Sequence, residues 1–204
     1  MKLFYKPGAC SLASHIILHE INKTAELEQV NTQTGLTEHG LDYSTINSNG
    51  YVPALQLDSG DILTEGASIL QYLADQHPDS NLAPAYGTIA RARLQEYLNY
   101  VSSELHKAFG PLFSDSSSEQ DKQQAKQNVA NKFNYLERLL EDNKPFLLGD
   151  KFSVADAYLF VVSNWSNFVG IELKQWPTIL NYVNRIAQRP AVTAAMRAEG
   201  LIDA

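Results

Sequence analysis

Short apolar runs and helical spacings alternate through the first part of the chain. Leu3-Phe4-Tyr5 is a strand-type run, Leu12, Ile16, Ile17 and Ile21 recur at helical intervals between Leu12 and Asn22, and Leu27 to Asn31 reads as a second strand. The opening is therefore βαβ. Thr32 to Gly50 is loosely patterned and rich in Thr, Gly, Asn and Ser, which reads as loop. Pro53 to Leu57 and Asp61 to Thr64 form two short runs split by Asp58-Ser59-Gly60, a hairpin signature. Gly66 to Gln76 then places Ile69, Leu70 and Leu73 on one helical face, and Pro78 stops it. The predicted order is β-α-β-loop-β-β-α.

Past Pro78 the pattern changes. Asp79 to Pro84 is linker-like, and no strand is predicted from Thr88 onward. Helical periodicity covers Ile89 to Leu112, Glu119 to Asp142, Val154 to Val169 and Trp176 to Arg189, with a polar stretch from Ser114 to Gln124 running into the second of these. This divides the chain into an α/β domain at 1–80 and an all-α domain at 86–204. Ser153-Val154-Ala155-Asp156 is a capping-box variant, so Ser153 and Asp156 read as structural.

Composition narrows the function classes. A chain of 204 residues can bury a substantial core. One cysteine cannot form an internal disulfide, and Met1 to Pro7 holds no apolar run of the length a signal peptide or spanning helix needs, so the expected location is the cytoplasm, away from membranes. A formal charge of −7 without any basic stripe argues against a nucleic-acid partner.

Candidate chemistry begins at that cysteine. Cys10 follows Lys6-Pro7-Gly8-Ala9 and precedes Ser11 at the start of a predicted helix, where unpaired backbone N–H groups and the helix dipole stabilise thiolate over thiol. A buried, inert cysteine is the plain alternative. In the helix from Ile89, Leu94, Leu98, Val101, Leu105, Phe109 and Leu112 share one stripe, while Asn99, Ser103 and His106 share another. That second stripe is either a solvated face or a set of hydrogen-bonding groups for a polar ligand held between the domains. Signals for other chemistries are weak. His15 and His19 sit four apart, but no third ligand accompanies them, so no metal is expected. Neither GxGxxG nor GxxxxGK[ST] occurs, and Cys10-Ser11-Leu12-Ala13 lacks the second cysteine of a CxxC dithiol, so redox work needs an external thiol.

Several segments carry a family resemblance: MKLFYKPGACSLASHI, Val52-Pro53-Ala54-Leu55, Thr64-Glu65-Gly66, Asn99-Tyr100 with Ser103-Glu104-Leu105-His106, and Phe152 to Tyr158. Together, in this order and spacing along the whole chain, they resemble the bacterial beta-class glutathione transferases. The resemblance implies a thioredoxin-like N-terminal domain, an all-helical C-terminal domain with a second-substrate pocket, and a homodimer. It implies glutathione as co-substrate and hydrophobic electrophiles as partners, with no metal. Cys10 and His106 would meet the sulfur as catalytic residues. Pro53 would follow a cis bond, and the Val52 backbone would pair with the cysteinyl part of glutathione. Glu65 and the Gly66 amide would hold the γ-glutamyl end, and Asn99 and Ser103 would complete the glutathione site. Tyr158 and Trp165 would border the second pocket or simply pack.

One departure stands out. The family pattern has a lysine where this chain has Gly35, and no Lys or Arg occurs between Lys23 and Arg91, which leaves His39 as the titratable cation of that loop. The expected function is a detoxifying transferase that conjugates glutathione to electrophiles, with thiol exchange also open through Cys10. A glutathione-dependent reductase or dehalogenase, or a non-catalytic ligand-binding protein of the same fold, are the alternatives.

Overall fold

Leu3, Phe4 and Tyr5 are all buried, and they build β1 (Lys2–Tyr5) into the middle of a five-stranded sheet ordered β3-β2-β1-β4-β5. The computed structural model describes residues 1–140 and 144–203, so Asp142, where the sequence ends one predicted helix, and the terminal Ala204 lie outside the described residues. β2 (Glu26–Asn31) runs parallel to β1 after the crossover helix α1 (Ser11–Glu20). β3 (Leu36–Thr37), β4 (Ala54–Gln56) and β5 (Ile62–Thr64) are added antiparallel, followed by α2 (Gly66–Asp75). The predicted order is thus present, with one addition. The Thr32–Gly50 stretch carries β3, whose pairing Val30↔Thr37 comes from backbone partners and not from any apolar alternation.

The remaining helices are α3 (Ile89–Tyr100), α4 (His106–Phe109), α5 (Glu119–Leu140), α6 (Val154–Asn164), α7 (Ser166–Val169), α8 (Pro177–Ala187) and α9 (Pro190–Ala198). Two predicted helices are interrupted. The first turns π-helical over Val101–Leu105 and ends as 3₁₀ over Gly110–Phe113. The other breaks at Trp165, and Gly170, at φ +68, closes the short α7. α9 follows a helix predicted to run to Arg189; Pro190 at its first turn is the start signal, since its missing N–H costs a helix nothing there.

By packing, the described chain forms two units, 1–83 with 188–204, and 84–187. In the first, α9 lies on α1, and the last residues reach the Lys6–Gly8 turn. Glu199, buried, accepts from the Gly8 N–H at 2.9 Å and meets His15 Nδ1 at 3.0 Å, while Arg189 grips Glu20 through Nε at 2.7 Å and Nη2 at 3.0 Å. The sequence boundary that assigned everything after residue 86 to one helical domain therefore parts company with the packing at 188, because these polar ties and the α1–α9 contact link the tail to α1.

In the second unit the apolar stripe of α5, Ala125, Val129, Phe133, Leu136 and Leu140, is buried at helical spacing, and α6 is buried nearly all round. The Asp156 carboxylate sits in this interior. It accepts from the Leu147 N–H at 2.8 Å, the Ser153 N–H at 2.8 Å, the Ser153 hydroxyl at 2.6 Å and the Tyr182 hydroxyl at 2.8 Å. Burial raises its pKa even against these four donors. The structural reading of Ser153 and Asp156 is what the geometry shows. No helix among the described residues is long and apolar enough to cross a membrane.

Asp156→Ala strands buried donors from Leu147, Ser153 and Tyr182 at once, so it is expected to cost about 3–5 kcal/mol of folding free energy, read as a lower urea midpoint. Asp156→Asn, which keeps one acceptor oxygen, should cost clearly less.

Candidate functional site

The Lys6–Ala9 turn delivers Cys10 to the N-terminus of α1. Ala9 N–H closes the turn on Lys6 O at 3.0 Å, and the Ser11 hydroxyl spans it, accepting from Lys6 N–H and donating to Lys6 O, both at 3.2 Å. Cys10 is the N-cap residue, with the Ala13 N–H on its carbonyl at 3.1 Å and its side chain half-buried; the thiol makes no capping hydrogen bond to the first turn. The thiol donates to the Val52 carbonyl at 3.1 Å. Val52–Pro53 is a cis peptide bond, as the resemblance implies. A Cβ added at Gly66 would meet the Pro53 ring at 3.8 Å, so Pro53 lies against the first turn of α2.

Glu65, immediately before α2, has φ +65 and ψ 111, a conformation that a side chain with a Cβ rarely adopts and that costs of order 1–3 kcal/mol. Its carbonyl starts the helix, accepting from Ser68 N–H at 2.9 Å and Ile69 N–H at 3.0 Å, while its carboxylate is exposed. The strain is thus held at an exposed acidic residue beside a helix N-terminus and Pro53.

Gly35 also has positive φ, +73, in the tight turn between β2 and β3, and no atom lies within 4 Å of a Cβ built there. The turn demands that conformation, since Gly35 N–H bonds Asn31 O at 2.8 Å and Tyr43 N–H bonds Gly35 O at 2.9 Å. His39 is engaged locally: its Nδ1 lies 2.8 Å from an oxygen of Glu28, a buried carboxylate on β2. Burial opposes ionisation of Glu28, but hydrogen bonds from Thr37 and His39 outweigh it and hold the carboxyl below its usual range.

In the helical unit, Asn99 lies in the last turn of α3, which ends at Tyr100, and the π turn follows. The Ser103 hydroxyl donates back to Asn99 O at 2.8 Å, and both residues are exposed. The wider π turn alters the spacing that placed Asn99, Ser103 and His106 on one straight helical stripe. His106 is half-buried with Nδ1 2.8 Å from the Tyr158 hydroxyl, and its ring packs edge-on to Trp165 at 4.7 Å. Burial, with a smaller push from the Lys107 charge, lowers His106 to about 4, so the imidazole is neutral at physiological pH. Its Nε2 has no hydrogen bond among the described residues. Trp165 also meets Phe109 at 5.7 Å and Phe113 at 5.5 Å. Phe113 then forms part of a groove of about 720 Å³ whose apolar wall includes Leu112, Phe168, Ile171 and Trp176.

Of the residues singled out by sequence, Cys10 and Val52 meet directly, Pro53 and Gly66 pack together, and Glu65 adjoins them. Asn99 and Ser103 are linked, and His106, Tyr158 and Trp165 form one contact group. Tyr158 as the partner of His106 Nδ1 was not foreseen, because 52 positions separate them and the surrounding pattern reads as apolar packing. The His15 partner, Glu199, was missed for the same reason, at 184 positions.

Comparison with known proteins fits this geometry. Residues 8–76 match the glutathione S-transferase N-terminal domain and residues 100–190 the glutathione S-transferase C-terminal domain. The chain is 45% identical over 201 residues to glutathione S-transferase GstA of Escherichia coli, covering 98% of this chain and 100% of that one. The bacterial beta-class glutathione S-transferase of Sphingomonas chungbukensis superposes with a TM-score of 0.96 at 49% identity, covering 99% and 100% of the two chains. A sphingomonad glutathione S-transferase complexed with glutathione superposes with a TM-score of 0.94 at 48% identity, again covering 99% and 100%. With two family domains in order and nearly half its residues shared along the full length of a curated relative, this chain belongs to the glutathione S-transferase family, among its bacterial beta-class members.

Proposed function

We propose that the chain conjugates glutathione to electrophilic small molecules and that Cys10 supplies a thiol that also exchanges with glutathione disulfides. The observation that carries this reading is the Cys10 sulfur at the N-terminus of α1, 3.1 Å from the Val52 carbonyl, in a chain of this family. In conjugation the glutathione thiolate forms a C–S bond as the leaving group departs with its electron pair. In exchange the Cys10 thiolate attacks oxidised glutathione, which forms a mixed disulfide and releases one glutathione thiolate.

The roles follow from chemistry. Near neutral pH glutathione carries two carboxylates and one ammonium. Glu65 is assigned to the ammonium, and the Gly66 end of α2, with its unpaired N–H groups, to the neighbouring carboxylate. The Val52 backbone is assigned to the cysteinyl amide, an extended peptide pairing with an exposed backbone edge. His106, a neutral imidazole with its ring oriented by Tyr158, is assigned to the sulfur chemistry, and Asn99 and Ser103 to polar contacts with glutathione. Trp165 and Phe113, continuing into the apolar wall of the groove, suit an aromatic electrophile. A homodimer working in detoxification in the cytoplasm is part of the same proposal. The family likeness favours conjugation over the reductase, dehalogenase and non-catalytic alternatives.

Cys10→Ala is expected to abolish the glutathionyl adduct that wild-type protein gains from oxidised glutathione, seen as a reductant-sensitive mass increase, and to remove thiol-exchange turnover. Conjugation should survive in part, because free glutathione brings its own sulfur. If both activities stayed at wild-type level, the role given to Cys10 would be wrong.

His106 gives a pH signature. The unfolded imidazole binds its proton near 6.5 and the folded one at about 4, so the unfolded state holds more protons between those values. Stability is therefore expected to fall as pH drops from about 6.5 toward 4, with no contribution from this group above that window. Titration of the His106 ring protons by NMR should show a midpoint well below 6; a midpoint near 6.5 would contradict the burial argument.

Restoring lysine at position 35 separates two effects. The left-handed backbone makes Gly35→Lys cost about 1 kcal/mol of stability, read in the denaturation midpoint. A loop-exposed charge pair with a glutathione carboxylate should tighten calorimetric affinity roughly two- to fivefold at low salt and less at high salt. Unchanged affinity at both would mean that position 35 does not face the ligand.

A further inference from the structure

Tyr51 and Val52 share one planar peptide unit, and its orientation is set from an unexpected direction. The Tyr51 carbonyl accepts two hydrogen bonds at once, from the Tyr43 hydroxyl at 2.9 Å and the Asn47 side-chain amide at 2.7 Å. Both donors are buried, Tyr43 to 1% exposure and Asn47 to 7%. They come from one compact turn, in which the N–H groups of Ile46 and Asn47 both bond Tyr43 O, at 3.0 and 2.9 Å. The side-chain oxygen of Asn47 also accepts from Asn49 N–H at 3.1 Å, and its carbonyl from Gly50 N–H at 2.8 Å, so the segment leading to Tyr51 is tied to the same residue. Burial pushes the Tyr43 hydroxyl up to about 12, which keeps it protonated and donating across the working pH range.

In a trans peptide the C=O and the following N–H point in opposite directions. Fixing the Tyr51 carbonyl on Tyr43 and Asn47 therefore aims the Val52 N–H away from them, and that N–H has no hydrogen-bond acceptor among the described residues. The next carbonyl, that of Val52, faces the Cys10 thiol at 3.1 Å. The Val52 side chain is buried in the cluster that holds the Tyr43 ring, with Phe4, Val30 and Ala54, and Ala9 packs against that cluster one residue before Cys10. This uncommitted donor belongs to the same residue whose carbonyl receives the Cys10 thiol.

We infer that the Tyr43 hydroxyl and the Asn47 amide are positioning groups for glutathione binding, which hold the Tyr51–Val52 peptide so that the Val52 N–H is presented to the substrate's cysteinyl carbonyl. This rests on the proposed pairing of Val52 with glutathione. Neither residue touches substrate; both act through the Tyr51 carbonyl. Removing one donor leaves the plane held by the other, so single substitutions loosen the geometry and the double substitution releases it.

The test uses Tyr43→Phe, which keeps the ring in its cluster, Asn47→Asp, which keeps the oxygen that accepts from Asn49 but loses the amide donor, and the double variant. Calorimetric Kd for glutathione is expected to rise roughly three- to tenfold in each single variant and further in the double, in line with the loss of one hydrogen bond. The KM for the electrophile and kcat at saturating glutathione should stay within about twofold, as should the rate at which iodoacetamide alkylates Cys10, since none of these needs the Val52 N–H. Unchanged glutathione Kd in folded Tyr43→Phe overturns the inference. So does equal weakening of Kd, kcat and alkylation, which would signal general loosening of the fold. Should Asn47→Asp fail to fold, Tyr43→Phe alone decides. Failure of the underlying reading looks different, because wild-type protein would then show no glutathione binding at all.

Discussion

Val52 is held on three sides, and the candidate chemistry of the N-terminal unit depends on that restraint. Its side chain lies in the buried cluster with Phe4, Val30, Tyr43 and Ala54, the carbonyl before it is bound by Tyr43 and Asn47, and its own carbonyl receives the Cys10 thiol. Phe4 belongs to the central strand, and Ala54 opens β4 beside it. The strand pairing, the turn at Tyr43 and the cysteine at the head of α1 therefore converge on two consecutive peptide bonds. Pro53 continues the restraint to the first turn of α2, where Glu65 is kept in a costly conformation.

The helical unit solves a different problem, that of keeping polar groups inside an apolar bundle. Asp156 carries four hydrogen bonds, and the Glu137 carboxylate caps the start of α8 by accepting from Thr178 N–H at 2.9 Å and Ile179 N–H at 3.0 Å. His106 is the half-satisfied member of this set. One ring nitrogen is occupied by Tyr158 and the ring packs edge-on to Trp165, so burial keeps it neutral and oriented rather than charged. A neutral imidazole with one nitrogen committed is a defined hydrogen-bonding group, which a solvated histidine is not.

Charge explains why the β2–β3 loop looks as it does. With no lysine or arginine between Lys23 and Arg91, the buried Glu28 carboxylate draws on His39 and on Lys2, whose ammonium lies 3.7 Å away. The histidine that sequence alone leaves as a spare cation is thus spent on a buried acid, and Gly35 serves the turn geometry instead of contributing a side chain.

The order of strands and helices, the hairpin at Asp58-Ser59-Gly60, the cap at Ser153 and the placement of Cys10 at a helix start were all legible in the sequence, because each depends on residues a few positions apart. What lay beyond it shares one physical character. β3 exists through backbone pairing with β2. The π turn at Val101–Leu105 arises where the backbone departs from the regular spacing that side-chain periodicity assumes, and the α9 tail is claimed by α1 through Glu199 and Arg189. The polar partners Tyr158 for His106 and Tyr43 with Asn47 for the Tyr51 carbonyl were likewise invisible, since a hydroxyl in an apolar or loop-like segment carries no periodic signal. Local sequence determined which elements form and where the thiol sits. Only the tertiary structure decided which buried donors meet which acceptors, because hydrogen-bond pairing across distant segments depends on direction and distance in space, which no spacing along the chain encodes.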